Sequence, residues 1–388
     1  MRIAFIVQRY GIEILGGSEY HCRLIAERMA GVHHVDVLTT CARDYITWAN
    51  EYPEGTELIS GVTVRRFPNA HTRDIDAFNR YSDWIFHNPH TSDDEMSWLE
   101  QQGPWCPALL DYLAGHSQFY DALIFFTYLY APTVLGLQVA AERSILAPTA
   151  HNEPAIHLEI YKEMFQRPKA IAFNTEVEKA FLKATFDLRA VVEETVGCGV
   201  DLLAGQSTRA GRNGLPEGPF LLYGGRIDPG KGCDQLLDFF DTYKQQGGPA
   251  TLVLMGARLM PLPDVPWVRY AGLLSESERL RALEAATVVV VPSPFESLSL
   301  LAIEGMAVGN PVLCNAHADV LVDHCRRSNA GLFYSSREEF VECAHLLLAD
   351  RDLRERMGRN GKTYVTANYA WNVIMAKYDK LIAALHKA

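Results

Sequence analysis

The sequence predicts an α/β chain made of two successive doubly wound units, and three observations carry that reading. Short β-branched runs alternate with stretches of helical periodicity, as at 2–7 followed by 20–30, or 287–291 followed by an apolar run from 298. The alternation stops at 205–218, whose Gly, Ser and Asn content is that of a linker, and restarts at 220. The length of 388 residues exceeds one comfortable core, while 48% hydrophobic and 21% charged residues are ordinary for a soluble globular protein.

The balance of 36 Lys and Arg against 47 Asp and Glu gives a net charge of −11, which argues against nucleic acid as the main partner. Eight cysteines (22, 41, 106, 198, 233, 314, 325 and 343) include no C-x-x-C pair and no zinc spacing. Several fall in predicted strands or helices, which suggests buried thiols in a reducing compartment. The chain enters a strand directly from Met1, without the plan of a signal peptide, and no apolar run approaches the roughly 18 residues of a membrane span. A soluble, cytoplasmic protein is expected.

The strand at 2–7 leads into a loop containing Gly16-Gly17 and then the helix 20–30, the opening of a doubly wound unit. Adjacent glycines let backbone approach a ligand closely, although many tight turns use such a pair without one. No G-x-G-x-x-G follows, which counts against a dinucleotide site. Strands are expected at 35–40 and 62–67. Residues 69–105, rich in Trp and His and broken by Asn88-Pro89, read as an irregular insertion. They form either a flap packed on the first domain or part of an acceptor site. A strand at 121–127, a helix at 131–143 and a strand at 144–150 follow, delivering His151 where ligands of parallel sheets gather. A histidine at such a place is structural or catalytic; position alone does not decide. A strand at 169–173, a helix at 175–186 and a strand at 191–200 complete this half.

In the second half, strands are expected at 220–224, 251–255, 268–271, 287–291 and 311–315, the last closing the series. Helices are expected at 233–246 and 275–286. Residues 335–388 read as helical, broken at Gly358 and Gly361, with a final helix from 369. The domains are therefore 1–204, a linker 205–218, 219–368, and a helix 369–388 returning to the first domain across an interlobe cleft.

The stretch from Pro292 to Asn310 carries the chemistry. Pro292 and Pro294 stop the buried strand, and Ser297 is the expected helix N-cap. Glu296 sits at the helix mouth and Glu304 about two turns further in, about 12 Å along the axis. That separation is too great for one metal ion. A helix N-terminus welcomes a diphosphate, and carboxylates flanking it need donors such as sugar hydroxyls. Both glutamates would otherwise be solvated surface charges. In the loop 224–232, Arg226 and Lys231 stand five residues apart and could neutralise a diphosphate, or pair with Asp228 and Asp234.

Together these features resemble the family 4 retaining glycosyltransferases of GT-B fold, over nearly the whole chain except 69–105. The resemblance rests on Glu296-x₇-Glu304 running into Gly309-Asn-Pro-Val312, on Gly225-Arg226…Lys231-Gly232, on Gly16-Gly17, and on Arg327-Ser-Asn-Ala-Gly331. It implies two Rossmann-like domains and transfer of a hexose from a nucleotide diphosphate sugar, UDP favoured, to a glycan, glycolipid or small-molecule hydroxyl. It implies that Arg226, Lys231, Gly17, Ser299 and Leu300 hold the diphosphate and that Glu304 accepts from the ribose. Glu296 and His151 would hold the transferred sugar, and Gly272 and Leu273 would face the base. Ser299 and Gly305 depart from the Gly and Ala usual at those positions. No metal cofactor is expected, since no Asp-x-Asp is present, and peripheral contact with the inner face of a membrane is compatible with the family. A nucleotide-sugar epimerase or hydrolase on the same fold, and an inactive sugar-nucleotide binder, are the alternatives.

Overall fold

Runs of β-branched and aromatic residues buried on both faces make strands that need cover on two sides, and helices supply it. The computed structural model describes residues 1–14, 16–201 and 215–386; most of the expected linker, 205–218, lies outside the described residues. The chain divides into two compact units, Met1–Cys198 with Ile374–Ala388, and Gly199–Val373.

The first unit runs β1 (Arg2–Ile6), α1 (Gly17–Ala30), β2 (His34–Thr40), β3 (Gly55–Ile59), β4 (Val62–Phe67), α2 (Ile75–His87), α3 (Ser92–Gln102) and α4 (Pro107–His116). It continues β5 (Ala122–Phe126), α5 (Ala131–Val139), β6 (Ser144–Ala147), α6 (Glu159–Phe165), β7 (Ala170–Phe173), α7 (Glu176–Thr185) and β8 (Val192–Thr195). Its sheet has the order β3-β4-β2-β1-β5-β6-β7-β8, all neighbours parallel except β3 on β4. Strand β3 was not anticipated, because its exposed edge lacks an apolar run.

Residues 69–105 are not irregular. Asp74 caps α2 by accepting from the amides of Asp76 and Ala77, and Thr91 and Asp94 form a reciprocal capping box on α3. Trp98 is buried against Phe78 and Phe86, and the Glu95 carboxylate accepts from the amides of Glu159 and Ile160 at the start of α6. The segment belongs to the core of its unit, whereas Trp84 stays exposed.

The second unit runs β9 (Phe220–Gly224), α8 (Cys233–Gln245), β10 (Thr251–Met255), β11 (Val268–Gly272), α9 (Glu276–Ala285), β12 (Val288–Val291) and α10 (Leu300–Val308). It then runs β13 (Val312–Asn315), α11 (Asp319–Ser328), β14 (Gly331–Tyr334), α12 (Arg337–Ala349), α13 (Arg351–Tyr369) and α14 (Trp371–Leu385), the last of which ends among the residues of the first unit. Its sheet is parallel throughout, in the order β11-β10-β9-β12-β13-β14, so β13 does not close the series. Helix α13 passes without interruption through Gly358 and Gly361. Both glycines serve close packing: a Cβ at 358 would stand 2.1 Å from the Gly309 carbonyl oxygen, and one at 361 would stand 3.1 Å from Met306.

Candidate functional site

In the second unit the candidates gather at the carboxyl ends of β9 and β12, where ligands of open α/β sheets bind. The loop after β9 is built by Asp228, whose carboxylate accepts the Lys231 amide at 2.9 Å and faces Arg226 Nε at 3.3 Å. Tyr223 Oη donates to the Arg226 carbonyl at 2.7 Å. Gly232 takes φ +71°, and a Cβ there would stand 2.4 Å from the Pro292 carbonyl oxygen, so only glycine lets this loop lie on the end of β12. That approach brings Lys231 Nζ to 2.9 Å from Glu296 Oε1. The two residues that the sequence suggested for one ligand are thus an ion pair.

Helix α10 begins later than expected. Its N-cap is Ser299, not Ser297, because Ser299 adopts a left-handed conformation with φ +63°. Glu304 is therefore only about one turn into the helix. This geometry accounts for the departure noted in sequence: glycine is at ease at φ +63° and serine is strained there. The Ser299 side chain makes no capping hydrogen bond to the start of α10, and Leu300 is the first helical residue. The turn before it is anchored from behind. Buried His324 on α11 donates Nε2–H to the Leu298 carbonyl at 2.8 Å, while its Nδ1 accepts from Tyr364 Oη at 3.0 Å. Burial holds this imidazole below its ordinary pKa, keeping it neutral as that pattern requires.

The Glu304 carboxylate is bound by the Arg279 guanidinium of α9. The partnership went unforeseen, although Arg279 lies in a predicted helix. One arginine leaves several acceptor positions of the carboxylate open. Gly272 ends β11 at φ +83°, its carbonyl accepts the Gly256 amide at 2.9 Å, and the Leu273 that follows is 63% exposed.

In the first unit, Gly16 is the N-cap of α1 and Gly17 its first residue. A Cβ at Gly16 would stand 2.0 Å from the Glu19 carboxylate, whereas the space around Gly17 is open. Burial pushes the Glu19 pKa up, but Arg9 and a 2.8 Å bond from Ser18 Oγ outweigh it and hold the group ionised. His151 lies beyond the end of β6, with Nε2 3.6 Å from Glu153 Oε1, and Tyr128 Oη donates to that same oxygen at 2.6 Å. The loop is fixed by buried Glu178 on α7, whose carboxylate accepts the amides of Ala150 and Asn174. Burial pushes the Glu178 pKa up to about 8, against the pull of those two amides. Sequence offered no signal for Glu178, an ordinary glutamate in a charged helix.

Among the described residues, no group of three or more His, Cys, Asp or Glu side chains is placed to hold a metal ion. No helix among them is long and apolar enough to cross a membrane. Seven of the eight cysteines are buried, and Cys343 is partly exposed.

With this geometry in place, the fold is GT-B: two Rossmann-like α/β units with parallel sheets. Sucrose-phosphate synthase from Thermosynechococcus elongatus superposes over 100% of this chain and 99% of its own, with a TM-score of 0.71 at 19% identity. The Anabaena protein Alr3699/HepE, solved in complex with UDP, superposes over all of both chains with a TM-score of 0.67 at 15% identity. Residues 208–364 match the family model of glycosyl transferases group 1. That span includes Arg226, Lys231, Gly272, Leu273, Glu296, Ser299, Leu300 and Glu304, and excludes Gly16, Gly17 and His151. The chain is 26% identical over 256 residues to the D-inositol 3-phosphate glycosyltransferase of Jonesia denitrificans, a match spanning 58% of this chain and 59% of that relative. It is 28% identical over 187 residues to the trehalose synthase of Rubrobacter xylanophilus, over 44% of each.

Proposed function

We propose that the protein is a retaining, metal-independent glycosyltransferase of family 4 that moves a hexose from a nucleotide diphosphate sugar, UDP favoured, to a hydroxyl acceptor. The observation that carries this reading is the Lys231–Glu296 pair at 2.9 Å beside the start of α10. The similarity of residues 208–364 to glycosyl transferases group 1 supports it, as do the UDP and UDP-glucose bound to the structural neighbour Alr3699/HepE.

In this reading the diphosphate takes the α10 amides around Ser299 and Leu300, with the partial positive charge of a helix start behind it. Arg226 and Lys231 supply full positive charges, held before substrate arrives by Asp228 and Glu296. Preorganised cations and amides lower the barrier by meeting negative charge as it grows on the departing nucleotide. Lys231 Nζ occupies one acceptor position of the Glu296 carboxylate, and its remaining lone pairs accept the sugar's hydroxyls. Glu304, steadied by Arg279, accepts from the ribose, and Gly272 and Leu273 face the base. Gly16 and Gly17 complete the phosphate site and His151 contacts the transferred sugar. The leaving phosphate oxygen takes the proton of the incoming hydroxyl on the same face, which retains the anomeric configuration.

The test begins with a thermal-shift panel of UDP, GDP, ADP and their sugar conjugates. A sugar nucleotide that raises Tm is then offered with an acceptor library, and the product's anomeric configuration is read by NMR. Lys231→Ala and Glu296→Ala should each lower kcat about 10²-fold or more while the fold survives. Full activity in Lys231→Ala overturns the diphosphate assignment, an inverted product overturns retention, and loss of transfer on adding EDTA overturns the metal-free mechanism.

A further inference from the structure

A cavity of about 400 Å³ opens at the carboxyl ends of β9, β12 and β13, with walls that include Asp234, Gln235, Pro294, Phe295, Asn315 and His317. It adjoins the Lys231–Glu296 pair through Gly232 and Phe295 but is made of different side chains. Its wall on α8 lies across the sheet from α10. Val288 and Val290 pack into one core with Leu236 and Phe240 of α8, whereas Val289 meets Gly305 of α10.

Hydrogen bonding around the cavity determines what can enter. Asn315 donates Nδ2–H to the Pro292 carbonyl at 2.8 Å, which makes its Oδ1 the acceptor for the amide and Nδ1–H of His317, each at 2.9 Å. With the proton fixed on Nδ1, the neutral ring presents Nε2 as a lone-pair acceptor. Nε2 of His317, the Asp234 carboxylate and the Gln235 amide have no hydrogen-bond or ion-pair partner among the described residues. Two of these groups accept only, and the third both accepts and donates. A phosphate would bring further acceptors and a charge of the same sign as Asp234. A sugar ring brings hydroxyl donors along its edge and an apolar C–H face for Phe295, which is 49% exposed.

We propose that this cavity is an acceptor subsite, taking one neutral sugar ring of the molecule to be glycosylated. The assignment rests on the transfer reading above, since a protein that moved no sugar would need no second sugar site.

Saturation-transfer NMR on the full chain with UDP saturating should show binding of at least one methyl hexoside from a glucoside, galactoside and mannoside set. Asp234→Ala and Phe295→Ala should each weaken that signal about tenfold, the size of one lost charge-assisted hydrogen bond or stacking contact. In both variants the UDP-induced Tm shift should be unchanged, and in turnover the acceptor KM should rise while the donor KM stays put. Absence of transfer to every glycoside, transfer that UDP abolishes, or transfer unaltered in both variants overturns the subsite. A missing UDP shift in the unsubstituted protein would instead overturn the donor reading, so the two failures are distinguishable.

Discussion

Glu178 joins two strand ends through a single buried carboxylate, and its titration should be visible in stability. Burial moves its pKa from an ordinary 4.5 to about 8, so between those values the folded chain keeps a proton that the unfolded chain has released. Stability from this group is therefore full below about pH 4.5 and declines as pH rises to about 8, at up to about 1.4 kcal/mol per pH unit. His21, whose ring bonds to the Gly197 carbonyl at 3.2 Å, acts in the opposite sense. Burial lowers its pKa from 6.5 to about 4, so its contribution is present above 6.5 and lost on acidification. The two slopes oppose each other in the acid range, and Glu178 acts without that opposition between pH 6.5 and 8. Urea unfolding should show stability falling across that window, and Glu178→Gln should flatten the fall. A slope that persists in the variant would assign it to another group. Ser299 offers a second test at this scale. Ser299→Gly relieves a left-handed backbone at φ +63° and should raise Tm, whereas Ser299→Val should lower stability by about 1–2 kcal/mol or more.

Among the elements, α13 opposes helix propensity to packing. Alanine is favoured over glycine by about 1 kcal/mol inside a helix, so propensity alone says that Gly358→Ala should stabilise. The new methyl would meet backbone, the Gly309 carbonyl at 2.1 Å, and backbone cannot rotate aside. Overpacking costs about 1–3 kcal/mol and should win, lowering Tm and displacing the end of α10, at whose other end Ser299 and Leu300 lie. A raised Tm in Gly358→Ala would show that α13 and α10 are less tightly seated. The same conflict explains why sequence put breaks at Gly358 and Gly361: composition registers two helix-weakening residues and is blind to the partner that requires them. Residues 69–105 misled reading in the converse way. Asn88-Pro89 and Ser92-Asp-Asp94 look like loop punctuation, yet Thr91 and Asp94 are the capping box of α3.

For the whole molecule, what was legible in sequence was whatever a strand must repeat. The valines of β12 and the aliphatic runs of β1 and β9 have no reading other than buried parallel strands, and strand ends fix where a doubly wound sheet can hold a ligand. Strand ends therefore singled out Arg226, Lys231, Glu296 and Glu304 as candidates, but their pairings were not legible: Lys231 with Glu296 and Arg279 with Glu304 join residues 65 and 25 positions apart. Helix α14 is another long-range feature. Its Tyr378, Leu381 and Ile382 are fully buried in the first unit, to which Ile374–Ala388 belongs, although the whole of Gly199–Val373 lies between in sequence. Replacing Tyr378 by alanine removes a large side chain from that core, near Cys22, Cys198 and Glu178, and should cost about 3–5 kcal/mol. The second unit holds the α10 amides, Arg226 and Lys231 within Gly199–Val373, and its core contains none of these α14 residues. Tyr378→Ala should therefore lower the unfolding transition of the first unit, followed by protease cleavage sites, while UDP still protects the second. Equal loss of protection in both units would mean that the chain unfolds as one cooperative body.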